Sequence, residues 1–130
     1  MQFYELKSVL DIDNENELVL LSPNWEVTKF PITESGHWFS EEQFHEIFSV
    51  VGEYQSNEKV FAFETFERVY KTTGLVERLN SEFNLDWTSF NNFQRSTDIL
   101  SFYLVHPNLS WVLYGNRDYC IFAKGYQQVN

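Results

Sequence analysis

The chain has 130 residues, a net charge of -10 and a single cysteine, Cys120. The length predicts one domain over residues 1–130 with a core of useful size. Aromatic residues at 18% rule out a disordered acidic chain. The lone cysteine rules out an internal disulfide, and net charge of this sign opposes direct binding to nucleic acid or to an anionic membrane.

The charge is unevenly spread. Residues 1–60 hold 12 acids against Lys7, Lys29 and Lys59, a net of -9, whereas residues 61–130 hold 7 acids and 6 bases, a net of -1. An acidic region of this kind attracts basic partners and speeds their encounter. No run approaches the roughly 18 apolar residues of a membrane span. The N-terminus has acids early and no apolar signal core, so a cytoplasmic location is expected.

In chain order, residues 3–10 read as a strand or a short helix. Asp11 to Glu17 is a polar turn. Leu18 to Leu21 reads as a buried strand, ended by Ser22-Pro23-Asn24. Trp25, Val27, Lys29 and Phe30 predict a second strand closed by Pro31, the two forming an antiparallel start. Ser40-Glu41-Glu42-Gln43 is a capping box, in which the Ser hydroxyl accepts the third amide and Gln43 reaches back. Phe44, Ile47, Phe48 and Val51 follow at helical spacing, and Gly52 marks the end. Glu41, Glu42 and Glu46 fall outside that apolar stripe.

Residues 58–73 are ambiguous. Val60-Phe61-Ala62-Phe63 fits a strand, but Ala62, Phe66, Val69 and Tyr70 fit a helix ending at Gly74, and helix is favoured. Leu75, Val76, Leu79 and Phe83 suggest another helix. Asp86 is placed to cap a short one carrying Trp87, Phe90 and Phe93. From Ile99 to Ala123, aromatic and β-branched runs separated by turn residues predict a three-strand meander. Strands, then helices, then strands give an α+β class: a mainly antiparallel sheet packed against two to four helices.

Chemical motifs are sparse, and no catalytic residue, metal ligand set or cofactor is predicted. His45-Glu46 begins a zinc-protease helix motif, but position 49 is Ser, so the second imidazole is missing. Asp11-x-Asp13-x-Glu15 lacks the Gly and the final Glu of a calcium loop. Cys120 lies in an apolar run and reads as an inert thiol. Arg117 and Asp118, beside Gly115-Asn116, read as charges left in water at a hairpin turn whose Gly and Asn supply positive φ. The remaining candidates are partner-binding: Glu41, Glu42, Glu46 and Glu53 as charge complement, with Trp38 and Tyr54 as aromatic anchors.

His106-Pro107-Asn108-Leu109-Ser110, followed by Trp111-Val-Leu-Tyr-Gly-Asn-Arg-Asp-Tyr119, resembles a pattern of small bacterial immunity proteins. These are the cytoplasmic antidotes of contact-dependent and other polymorphic toxin systems. The resemblance implies a small acidic α+β chain that binds a toxin domain, often a nuclease with a basic active-site surface. Two other classes stay open on the residues: a small enzyme with a site near Arg117 and Asp118, and an acidic nucleic-acid mimic that inhibits a DNA-binding protein.

Overall fold

Alternation along the central strands decides the architecture. In β6 (Phe102–Val105), Phe102 and Leu104 enter one apolar cluster while Tyr103 and Val105 enter another. In β7 (Trp111–Gly115), Trp111 and Leu113 join the first and Val112 and Tyr114 the second. Successive side chains point to opposite faces of a strand, so these strands lie in a sheet covered on both sides. The computed structural model describes residues 1–14, 17–32, 38–49 and 58–125. Its main sheet also contains β1 (Trp25–Pro31), β2 (Lys59–Glu64), β5 (Asn80–Asn84) and β8 (Tyr119–Gly125). The spatial order is β1-β8-β7-β6-β2-β5, with every pairing antiparallel. Strands β3 (Arg68–Val69) and β4 (Val76–Glu77) form a separate small hairpin.

Two helices cover the first face. In α1 (Glu41–Ser49), Ser40 Oγ accepts the amide of Gln43 at 3.1 Å, and Phe44, Ile47 and Phe48 point inward. This half of the expected capping box forms, and Gln43 Nε2 donates to the Pro31 carbonyl at 2.7 Å. Phe48 meets Trp111 and Phe122, placing α1 over β7 and β8. In α2 (Trp87–Ser96), Asp86 caps as expected, accepting the Ser89 amide at 2.7 Å. Phe93 packs edge-on to Phe102 and stacks on Phe83, placing α2 over β6 and β5. The second face is covered by a 3-10 helix, Phe3–Ser8, and the residues that follow it, with Leu6 and Leu10 fully buried.

The α+β class, the strand at Trp25, both capped helices and the C-terminal meander stand as expected, whereas four local readings are corrected. Residues 18–21 make only an isolated bridge, Leu10 to Leu20, because β1 takes its partner from β8 instead of from this segment. Residues 58–73 are not a helix. Val60 and Ala62 bury on one face and Phe63 on the other, and a strand apolar on both faces hides its period of two. Phe66, Val69 and Tyr70, which had suggested the helical stripe, are exposed. Residues 75–83 form β4 and β5, and Leu75 and Val76 stand in solvent. Gly74, at φ +71°, donates to the Tyr70 carbonyl at 2.7 Å within the β3–β4 turn instead of ending a helix.

The fourth correction concerns Gly115 and Asn116, neither of which has positive φ. Among the described residues only Gly74 and Leu109 do. Gly115 is required by proximity, since a Cβ there would lie 2.8 Å from Phe102 Cζ. Asn116 shapes the turn through its side chain, whose Oδ1 accepts the amides of Asp118 (2.8 Å) and Tyr119 (2.9 Å). The predicted end of α1, at Val51 and Gly52, lies outside the described residues.

Candidate interaction surface

The first helix is amphipathic with a one-sign outer face. Its inner residues fill the core, and Glu41, Glu42 and Glu46 are exposed, as is His45. The helix holds no Lys or Arg. Glu41 and Glu42 lie in its first turn, where carboxylates are favoured by the helix dipole. The Ser40 cap and the Gln43–Pro31 hydrogen bond fix this helix against the end of β1, so the three carboxylates are held on a rigid element.

Trp38 lies just before the helix and is half-buried. The Arg95 guanidinium carbon sits 4.7 Å from its ring centroid, so the indole packs against α2 of its own chain. Its neighbour Phe39 is clamped by the buried Gln94, which accepts the Phe39 amide at 3.1 Å and donates to the Phe39 carbonyl at 2.9 Å. Glu53 and Tyr54 lie outside the described residues. The structure therefore places Glu41, Glu42 and Glu46 together, with Trp38 on the segment leading into the same helix.

Among the described residues, the acids of the N-terminal half do not form one surface. Glu5, Asp11, Asp13 and Glu17 belong to the segment covering the second face, whereas Glu41, Glu42 and Glu46 ride on the first. Glu58 is engaged separately: His106 Nε2 meets its carboxylate, and His106 Nδ1 lies 2.6 Å from Asn108 Oδ1. This pairing joins residues 48 apart in sequence, and no spacing rule pointed to it.

A second network also escaped the sequence reading. Glu64, fully buried, is held in a two-pronged grip by Arg68, with Nε at 2.9 Å and Nη2 at 2.8 Å. Arg68 Nη1 reaches Asp98 at 2.8 Å. Hydrogen bonds to Glu64 and Asp98 raise the Arg68 pKa, and the same guanidinium holds the Asp98 carboxyl below its ordinary range. Glu64 ends β2 and Arg68 opens β3, so the turn between these strands, and not the helix expected over residues 58–73, brings this i, i+4 pair together. The network fastens the β3–β4 hairpin to Asp98, two residues beyond α2.

Arg117 and Asp118 stand exposed at the β7–β8 turn. Arg117 borders a recess of about 20 Å³ lined also by Trp38, Ile99 and Leu100. That volume is far below the several hundred Å³ of an ordinary small-molecule site. Cys120 is buried, and burial pushes its thiol up to about 12. Among the described residues, no group of three or more His, Cys, Asp or Glu is placed to hold a metal ion, and no helix is long and apolar enough to cross a membrane. Compared with protein-family models, with curated proteins and with solved structures, the chain matches none.

Proposed function

We propose that this chain is a non-catalytic cytoplasmic immunity protein. It binds a cognate bacterial toxin domain and covers the toxin's basic active-site surface, with a nuclease as the expected activity. The observation that carries this reading is the outer face of α1: three exposed carboxylates with no base on the helix, held on a capped element. Like-signed charge on a rigid face accelerates encounter with a surface of opposite sign. The resemblance of residues 106–119 supports the class but not the contact, because these residues form the β6–β7 turn, β7 and the turn into β8. They supply scaffold, and the interface is assigned to α1.

The direct test is co-purification with the tagged C-terminal domain of a toxin encoded immediately upstream, together with rescue of growth. A tight complex that restores growth is expected. Replacing Glu41, Glu42 and Glu46 together by Lys should slow association about tenfold or more at low salt and flatten its salt dependence. An unchanged on-rate would remove α1 from the interface.

A further inference from the structure

Among the described residues, the main sheet ends in two strands with one neighbour each, β1 and β5. Hydrogen bonding beside them reveals which backbone groups face outward. The Ile32 amide donates to the Asp118 carbonyl at 2.9 Å, one step beyond the Pro31–Tyr119 pair. Antiparallel ladders alternate between hydrogen-bonded and non-hydrogen-bonded pairs. Glu26, Thr28 and Phe30 therefore turn their backbone groups towards β8, and Trp25, Val27 and Lys29 turn theirs away from the sheet. Pro31 also faces outward, where its missing N–H is tolerated. Its carbonyl is taken by Gln43. Among the described residues, the open stretch is thus Trp25 to Lys29, bounded at one end by α1.

The same treatment of β5 gives a different edge. The Glu64 amide donates to the Leu79 carbonyl and the Leu85 amide to the Glu58 carbonyl, so Asn80, Glu82 and Asn84 face outward. Those three residues are polar and exposed, and Glu82 pairs with Lys59 at 3.1 Å. On β1 the outward positions are aromatic, β-branched and basic. Val27 is half exposed, and Lys29 lays its ammonium 4.3 Å from the Tyr119 ring centroid, over the chain's own sheet. Aromatic and β-branched residues favour strand pairing, and a lysine folded back on the sheet guards the edge less than one projecting from it.

Charge indicates the occupant. Phe30 belongs to the helix-covered cluster, so Glu26 and Thr28 share that face, the side on which α1 lies. On this side of the sheet stand Glu26 on β1 and Glu41, Glu42 and Glu46 on α1, with Lys124 on β8 opposite Glu26. A second copy with net charge -10 would bring the same carboxylates against this edge. We infer that β1 accepts an extended segment of a basic partner as a seventh strand, with Lys or Arg at the alternate positions that face α1. This rests on the proposed function for the existence of a protein partner and adds the mode of contact: backbone pairing gives affinity and alternate side chains give selectivity.

The test uses hydrogen exchange of the full chain with a synthetic peptide alternating Lys and Val, and a control alternating Glu and Val. In the free protein the Val27 and Lys29 amides should exchange much faster than those of Thr28 and Phe30. The Lys peptide should slow exchange at Val27 and Lys29 by tenfold or more, and the Glu peptide should not. Val27→Pro removes an outward amide and leaves the β8 ladder intact, so it should abolish binding while Thr28 and Phe30 stay protected. Should that variant misfold, the exchange pattern of the unsubstituted protein still decides. Binding of the Lys peptide without protection at Val27 and Lys29 would overturn the edge and leave the acidic-surface reading standing. Failure of the Lys peptide to bind at all would overturn the inference, and co-purification with the toxin domain would then judge the proposed function by itself. Concentration-dependent dimers abolished by Val27→Pro would assign the edge to a second copy and overturn the basic occupant.

Discussion

The two faces of the sheet are closed by different means. One is covered by amphipathic helices, and the commonest buried residue beneath them is phenylalanine, Phe44, Phe48, Phe90, Phe93, Phe102 and Phe122 among them. The other is covered by six residues of 3-10 helix and a stretch with little regular structure, over a lining that includes Tyr103 and Tyr114. The Tyr103 hydroxyl donates to the Asn14 carbonyl at 3.3 Å, so the second face uses polar tips to hold an irregular cover. Helices satisfy their own backbone and can present a wholly apolar underside. An irregular cover needs side-chain partners for its backbone groups.

That contrast can be broken by truncation. Phe90 touches Phe39, Phe44, Phe83, Phe93 and Phe102. Phe90→Ala should cost about 3–5 kcal/mol, read as a fall in the urea midpoint with m unchanged. Leu6→Ala, on the other face, should cost about 2–4 kcal/mol by the same reasoning. Equal losses would mean that the irregular cover is as integral as the helices.

A smaller effect sharpens the packing on the helical face. Gly115→Ala forces a methyl against the Phe102 ring and should cost about 1–3 kcal/mol. Adding Phe102→Leu should recover part of this in a double-mutant cycle. Full additivity would show that the two residues do not press on each other.

The smallest effect at neutral pH is that of Cys120. Burial raises its thiol in the folded chain from an ordinary 9.0 to about 12. A group raised in the folded state adds stability that is complete below its unfolded value and is lost as pH climbs through the folded one. Stability should therefore fall between about pH 9 and pH 12. Cys120→Ala, although it leaves a small gap, should flatten that limb. Alkylation of the native thiol should be slow at neutral pH and become fast on adding urea. Rapid labelling of native protein would contradict its burial.

Much of this was legible where one face of an element is buried and the other wet. Phe44, Ile47 and Phe48 announced α1, and Asp86 with Phe90 and Phe93 announced α2. The meander was legible from its turn residues. Strand β2 was not, because both its faces are covered and its apolar run has no visible period. Nor were β4 and β5, because Leu75, Val76, Leu79 and Phe83, in and beside them, mimic helical spacing while two of the four stand in solvent. The linear charge imbalance pointed to α1 but also suggested a single acidic surface, and folding divides those acids between opposite faces. The free edge of β1 depends on which strand lies beside it, a fact set by contacts some ninety residues apart.

That separation has a consequence for how the protein is made. Strand β1 leaves the ribosome long before its partner β8, so its ladder waits until residues 119–125 have emerged. Strands β6 and β7 can form their local hairpin earlier, but the sheet stays two pairings short, β7–β8 and β8–β1, until then. Non-local closure of this kind slows folding. A message cut short before residue 119 would yield a chain with β7 as an open edge and β1 without its partner, a species suited to capture by chaperones or proteases.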